Sequence, residues 1–106
     1  MSHEEKACMA HRDGSNCAAA VYNAFEDVNP NPGAIPKPRS DGGKCGAVLA
    51  AEQLLRDMGI DGDFDQRFTE HYGSLKCADL RRTRALCNDL VGGAAKLVDA
   101  CIEKAR

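Results

Sequence analysis

Apolar residues recur at helical spacing along most of this chain. Cys17, Val21, Ala24, Phe25 and Val28 stand at positions i, i+4, i+7, i+8 and i+11. These positions share one face of an α-helix. The Gly-Ser-Asn tripeptide just before Cys17 is typical of an N-terminal helix cap. The pattern therefore predicts a first helix that begins near Cys17 and ends before the Asn-Pro pair at 29–30.

Three further stretches show related patterns. A second helix is predicted from about 45 to 58, with Gly59 as its C-terminal stop. A third helix is predicted for 63–72, a short helical turn for 74–80 and a last helix for about 84–105. No stretch alternates between apolar and polar residues as a half-buried strand would. The predicted fold class is therefore all-α, a small bundle of four or five helices.

The remaining segments carry little apolar periodicity. Residues 29–44 hold all four prolines of the chain, so we predict a long Pro/Gly-rich loop between the first two helices. Loops of this length are usually functional or mobile. Residues 1–14 are polar, and we predict that they form a flexible tail. At 106 residues, the chain is expected to form a single domain, 1–106.

Charge and hydropathy narrow the choice of partners. The chain has 14 basic and 16 acidic residues, a balance that leaves no electrostatic footprint for nucleic acid or for an anionic membrane. No apolar run approaches the roughly 20 residues that span a bilayer, and the N-terminal stretch lacks the apolar segment of a secretory signal. We therefore expect a soluble, cytoplasmic protein that binds neither nucleic acid nor membranes.

Six cysteines are many for a chain of this length. Structural disulfides are rare in a reducing compartment, so dense cysteine there indicates metal or redox chemistry. Cys17, Cys45 and Cys77 stand in the first turn of predicted helices, and Cys87 stands about one turn into the last helix. The positive end of a helix dipole favours the thiolate, which is the form that binds metal or attacks a disulfide.

The spacing of these four cysteines excludes the common local motifs. They are separated by 27, 31 and nine residues, so neither a C-x-x-C zinc knuckle nor a thioredoxin-like dithiol is present. The tight cysteine run of bacterial ferredoxins is absent as well. A shared site would therefore be assembled by the fold, with each helix contributing one sulfur atom.

The surroundings of the four cysteines resemble a known family. The matching stretches are NCAAAV at 16–21, CGAVLA at 45–50, HYGSLKCADL at 71–80 and CNDLV at 87–91. In these stretches, and in their order, the chain resembles the C-GCAxxG-C-C family of small, helical, redox-active proteins. Ala50 stands where the central motif of that family commonly has glycine.

The resemblance implies redox or metal chemistry at four characteristic cysteines. The positions that match them are Cys17, Cys45, Cys77 and Cys87. Cys8 and Cys101 lie outside the set, one in the polar N-terminal stretch and the other deep in the last predicted helix, where a thiol often only fills space.

The leading hypothesis is an iron–sulfur cluster, 4Fe–4S or 2Fe–2S, held by the four thiolates. Gly46 follows Cys45 and has no side chain, so it would let a bulky cofactor come close. The function would be electron transfer or cluster carriage with a redox partner protein, and the protein would be a carrier rather than a catalyst. A cluster shared between two chains, and hence a homodimer, is an open alternative.

Two other functions use the same cysteines. The first is a thiol–disulfide oxidoreductase without metal, in which Cys45 attacks because Gly46 leaves it accessible, and in which Cys77 and Cys87 can pair. The second is a structural zinc site of four cysteines, which the absence of C-x-x-C knuckles disfavours. Thiols that serve only as core residues are the remaining alternative.

Two further features have ordinary explanations. His71 can be a ligand or a proton carrier, but a histidine in the last turn of a helix commonly complements the helix dipole, which is the interpretation we favour. The Arg-Arg-Thr-Arg run at 81–84 can dock an acidic redox partner. We favour a solvated break between two helices, because four residues do not make a basic patch.

Overall fold

The structure is a computed structural model, which describes residues 2–29, 43–60, 63–76, 79–80 and 87–105. Within these residues the secondary structure is helical apart from one isolated backbone bridge. The helices are α1 (His3–Arg12), α2 (Cys17–Ala24), α3 (Gly46–Asp57), α4 (Phe64–Tyr72) and α5 (Cys87–Ala105). The predicted all-α bundle is confirmed.

Helix α1 occupies a segment for which the sequence pattern predicted a flexible tail. Ser2 caps this helix, because its hydroxyl accepts the N–H of Glu5 at 3.1 Å. Ala7 is fully buried, and α1 packs against α5. Residues 3–12 thus form a packed helix that the sequence pattern did not predict. Its signal was weak because α1 buries a small side chain and is polar on average, so that tertiary packing decides its structure.

A histidine fastens α1 to the rest of the bundle. Nδ1 of His3 lies 2.7 Å from an Asp99 carboxylate oxygen, and Nε2 lies 3.0 Å from an Asp27 carboxylate oxygen. The imidazole ring also stacks on Phe25, with the ring centroids 4.2 Å apart. One side chain thus joins α1 to the turn that follows α2 and to α5.

Helix α2 begins where it was predicted and ends earlier. Asn16 is its N-cap, and the side-chain oxygen accepts the Ala19 N–H at 2.8 Å. The helix stops at Ala24, and turns follow through Val28, which is 41% exposed. The extension of the apolar helix face to Val28 is therefore wrong. Buried Asn29 donates through its side chain to Tyr22 at the end of α2, which holds the chain close to the helix after it has ended.

Helices α3 and α4 lie within one residue of their predicted bounds. Gly59 and Gly73 follow them with φ angles of +69° and +89°, the left-handed conformation that ends many helices at glycine. Eight of the 12 residues of α3 are buried, so α3 is a central helix of the bundle. Helix α5 confirms the predicted last helix from Cys87 onward.

Several predicted features fall outside the described residues. These are most of the proline-rich loop, at 30–42, the run at 81–84, and Cys77. Of the predicted turn at 74–80, the described Leu80 is fully buried. Among the helices that the structure describes, none combines the length and the apolar character that a bilayer-crossing segment requires.

Candidate functional site

Helices α2 and α3 run side by side in the same direction. At one end, the side chains of Cys17 and Cys45 lie close enough that each shifts the pKa of the other. At the other end, the Tyr22 hydroxyl donates to the Asp57 carboxylate at 2.5 Å. The two helix starts therefore lie together at one end of the pair, and the two C-terminal ends lie together at the other. A parallel helix pair requires a connection that returns along its whole length, which accounts for the long segment between α2 and α3.

Both thiols sit at helix N-termini. Cys17 is the first residue of α2, and Cys45 is the N-cap of α3. The backbone N–H groups of Ala47 and Ala18 lie near the Cys17 sulfur and lower the pKa of its thiol. Unpaired N–H groups at a helix start are natural donors to an anion. The parallel packing of α2 and α3 thus directs two helix N-termini at one pair of sulfur atoms.

The two thiols titrate as a pair with opposite shifts. The hydrogen bond from Cys45 and the backbone N–H groups, opposed by burial, lower the pKa of Cys17 to about 6. The hydrogen bond to Cys17 and burial raise the pKa of Cys45 above its usual range. The pair therefore carries one negative charge at neutral pH, with the thiolate on Cys17 and the remaining proton on Cys45. Both cysteines are free of a disulfide in this structure.

Solvent reaches the two sulfurs unequally. Cys45 is only 5% exposed, and Gly46 is buried beside it, whereas Cys17 is partly exposed. The prediction that Gly46 leaves Cys45 accessible is therefore wrong. Because α3 is the central helix, its first turn lies under neighbouring segments, and a missing side chain at position 46 opens no path to solvent. The accessible, charged member of the pair is Cys17.

A third segment passes alongside the thiol pair. The N–H of Cys45 donates to the carbonyl of Leu75 at 2.9 Å, and Lys44 forms an isolated antiparallel bridge with Lys76. The hydroxyl of Ser74 accepts the N–H of Lys76 at 3.1 Å. The chain that leads to Cys77 is thereby attached to the start of α3. Cys77 itself lies outside the described residues.

The described part of α5 begins at the same end of the bundle. Asn88 Nδ2 donates to the carbonyl of Cys8 at 3.1 Å and lies 3.2 Å from Nδ1 of His11, close to the end of α1. The chain continues from there to α2, with the N–H of Ser15 donating to the carbonyl of Ala10. The side chain of Cys87 lies outside the described residues, but the backbone at the start of α5 lies beside α1, close to the end that leads into α2.

The two cysteines that do not match the family are separate from this pair. Cys8 packs against Gly92, where an added Cβ would lie 2.8 Å from its sulfur, and it lines an open cleft of about 430 Å³ between α1, α4 and α5. Cys101 is 2% exposed. Burial raises the pKa of both thiols. His71 lies in the last turn of α4, exposed at the edge of the same cleft, and contributes nothing to the Cys17–Cys45 pair.

Only two of the four predicted metal ligands have side chains among the residues that the structure describes. Within them, no three histidine, cysteine, aspartate or glutamate side chains converge as metal ligands. Of the four predicted cysteine ligands, Cys17 and Cys45 are brought together, and the side chains of the other two lie outside the described residues. The candidate ligand atoms that can be placed are thus the two sulfurs of Cys17 and Cys45.

The direct pairing of Cys17 with Cys45 was not predicted. One signal in the sequence could have indicated it, because both cysteines adjoin a helix start and the two helices are joined by a connection long enough to make them parallel. The direction of the two pKa shifts had no signal in the sequence, since it depends on which sulfur the fold buries.

Comparison with protein-family models gives no match for this chain, and comparisons with curated proteins and with solved structures give none either. The resemblance to the four-cysteine family therefore stays a prediction, and function has to be inferred from the geometry of the thiol pair.

Proposed function

We propose that this protein is a redox protein whose working centre is the Cys17–Cys45 pair, which cycles between a dithiol and a disulfide. The observation that carries the proposal is the placement of two free thiols at the starts of α2 and α3, close enough to shift each other's pKa, with Cys17 partly exposed and Cys45 buried. A thiolate that solvent can reach is the attacking group in such reactions, and a neighbouring thiol resolves the product.

The proposed reaction consists of two exchanges with a substrate disulfide. The Cys17 thiolate attacks one substrate sulfur, the substrate S–S bond breaks, and the first substrate thiolate leaves. Cys45 then loses its proton and attacks the Cys17 sulfur, which releases the second substrate thiolate and forms the Cys17–Cys45 disulfide. From its thiolate–thiol state the pair loses two electrons and one proton, and this proton together with one from solvent converts the two substrate thiolates into thiols.

The state of Cys17 determines when Cys45 can lose its proton. The interaction with the Cys17 side chain is the first cause of the raised pKa of Cys45, burial is the second, and the negative charge on Cys17 adds to both. Once Cys17 is in a mixed disulfide, that charge is gone. The N–H groups of Ala47 and Val48, which lower the pKa of Cys45, then act without opposition from Cys17. The buried thiol is thus activated only after the first exchange.

Three variants test this order of events. In the wild type, glutathione disulfide should yield a Cys17–Cys45 disulfide, identified by peptide mapping of alkylated protein. Cys45→Ser should retain glutathione on Cys17, because no thiol resolves the mixed disulfide. Cys17→Ser should give no adduct at Cys45, and Cys8→Ser should behave as wild type. Rapid modification of Cys45 in Cys17→Ser, or a wild-type disulfide that leaves Cys17 reduced, would contradict the proposal.

A second candidate function is an iron–sulfur protein for electron transfer or cluster carriage. It is supported by the attachment of Leu75 and Lys76 to the start of α3 and by the position of the start of α5 beside the end of α1 that leads into α2. These contacts favour a common location for the four predicted ligands, Cys17, Cys45, Cys77 and Cys87. Backbone N–H groups at helix starts suit cluster sulfurs, and Gly46 would leave room beside them.

Analysis of protein purified without oxygen separates the candidates. Iron with matching acid-labile sulfide and a visible chromophore that dithionite bleaches would establish the cluster and replace the dithiol proposal. Zinc at one per chain without sulfide would establish a structural site. Neither metal, together with a reversible Cys17–Cys45 disulfide, is the result expected from the dithiol proposal.

The proposal includes a cytoplasmic location and a redox partner protein. A partly exposed thiolate requires a compartment that returns it to the reduced state after each cycle. Alkylation of intact cells followed by mapping should find Cys17 and Cys45 mainly reduced. Sedimentation of the reduced protein tests whether two chains associate, since a cluster shared between chains would require a homodimer.

A further inference from the structure

Two lysines lie close to the thiol pair, one at the start of α3 and one in the segment that passes alongside it. Lys44 directly precedes Cys45, and the antiparallel bridge places Lys76 opposite Lys44. Residues that face each other in such a bridge have Cα atoms about 4.5–5.5 Å apart, and consecutive Cα atoms are about 3.8 Å apart. The backbone of Lys76 therefore lies within about 10 Å of Cys45. That separation is comparable with the screening length at physiological salt.

The two lysines differ in how they are neutralised. Lys44 Nζ lies 3.1 Å from a Glu52 carboxylate oxygen, and both side chains are largely sheltered from solvent. Lys76 is exposed, and no carboxylate among the described residues forms an ion pair with it. The nearest acidic residue along the described chain, Asp79, accepts the Ser74 hydroxyl at 2.9 Å. Among the described residues, therefore, none neutralises the positive charge of Lys76 beside the pair.

The positive charge of Lys76 can offset the negative charge that is present at the thiol pair during the reaction. The Cys17 thiolate repels an anionic substrate, and attack on a disulfide spreads the negative charge toward the leaving sulfur. We propose that the substrate is a small disulfide that carries carboxylates, and that Lys76 selects it by pairing with one of them. This inference rests on the proposed dithiol function, and it makes Lys76 a specificity-determining residue rather than a catalytic one.

Three small disulfides of different charge test the selection. These are 3,3′-dithiodipropionate with two negative charges, 2-hydroxyethyl disulfide without charge, and cystamine with two positive charges. The rate of Cys17–Cys45 disulfide formation is measured with each reagent at pH 7. The quantity compared between protein variants is the ratio of the anionic to the cationic rate, because the reagents' own reactivities cancel in that comparison.

Lys76→Gln should lower this ratio by about threefold or more, and Lys76→Glu should lower it further. The wild-type ratio should fall in high salt, since the charge of Lys76 is exposed to screening. Lys96→Gln is the matched control, because Lys96 is an exposed lysine of α5 at the edge of the other cleft, and its ratio should equal that of the wild type.

The role of Lys76 and the dithiol function are tested by different outcomes. A ratio that stays the same in Lys76→Gln and Lys76→Glu, while the Cys17–Cys45 disulfide still forms, would overturn the role of Lys76 and leave the dithiol function intact. If no reagent produces the Cys17–Cys45 disulfide in the wild type, the dithiol function itself is wrong, and the inference is lost with it.

Discussion

The two ends of the α2–α3 pair are held together in opposite ways. At the C-terminal end, the Asp57 carboxylate accepts hydrogen bonds from Tyr22, Gln53 and Asn29. At the N-terminal end, the described groups that act on Cys17 and Cys45 are the other thiol and the backbone N–H groups of the helix starts. One end uses three side chains to satisfy a single carboxylate, and the other places one negative charge between two sulfurs.

This difference separates a structural contact from a reactive one. The hydrogen bonds from Tyr22, Gln53 and Asn29 lower the pKa of Asp57, although partial burial opposes them, so the carboxylate is stable and inert at neutral pH. The lowered pKa of Cys17 also stabilises an anion, but that anion is a partly exposed nucleophile. The contact at the C-terminal end supports the parallel orientation of α2 and α3, and this orientation brings the two thiols together at the N-terminal end.

The largest expected effect comes from breaking the structural end. Tyr22→Phe removes the hydroxyl that donates to Asp57 and accepts from Asn29, and should lower the free energy of unfolding by about 1–3 kcal/mol. The pKa of Cys17 should stay near 6, because the helix starts remain packed. Urea unfolding and a pH profile of alkylation measure the two quantities. A large rise of the Cys17 pKa in this variant would show that the ends are coupled.

The reactive end should be distinguished by alkylation at low pH. At pH 6, Cys17 should react with iodoacetamide at least about tenfold faster than Cys8, because about half of it is thiolate while the raised pKa of Cys8 keeps that thiol protonated. Site-resolved mass spectrometry after short pulses measures both rates. In denaturant the two rates should converge, and equal rates in the folded protein would contradict the assignment.

The hydrogen bond between the thiols should account for part of the Cys17 shift. Cys45→Ala removes the donor and should raise the pKa of Cys17 by about one unit, which is the contribution of a single hydrogen bond to a charged group. Cys45→Ser keeps a donor at the same position and should raise it less. The alkylation profile of each variant gives the pKa, and a larger rise in the serine variant would argue against this hydrogen bond.

The smallest expected effect is on acid stability. The pKa values of Asp57 and Asp27 are lowered in the folded protein, so their contribution is complete above the unfolded pKa, near 4, and is lost as the pH falls through the lower folded values. Both carboxylates are well solvated, so each should contribute less than about 1 kcal/mol. Asp57→Asn should flatten the fall in stability below pH 4, whereas Glu103→Gln, on the exposed side of α5, should leave it unchanged.

The helices that could be predicted are those whose local signals agree with their packing. Helices α3 and α4 have clear apolar faces that include leucine or phenylalanine, and they end at Gly59 and Gly73, so pattern and terminator coincide. Helix α1 was missed because its buried face is made of small side chains and its contacts are polar, as at His3. Helix α2 was extended too far because the apolar pattern continues to Val28, although the backbone has already turned.

The same distinction between local sequence signals and tertiary packing applies to the candidate site. The sequence alone places Cys17 and Cys45 at helix starts, because capping residues and glycines act on the few residues next to them. It also indicates that a thiol in such a position favours the thiolate. Neither statement requires any knowledge of how the helices pack.

Only the tertiary structure decided which thiols meet and which of them solvent reaches. Cys17 and Cys45 are separated by 27 residues, and their contact depends on the parallel packing of α2 and α3. Burial of the α3 start then placed the proton on Cys45 and the charge on Cys17. A helix start is a local property of the chain, but a shared proton between two thiols depends on the distance and the solvent access that only packing sets.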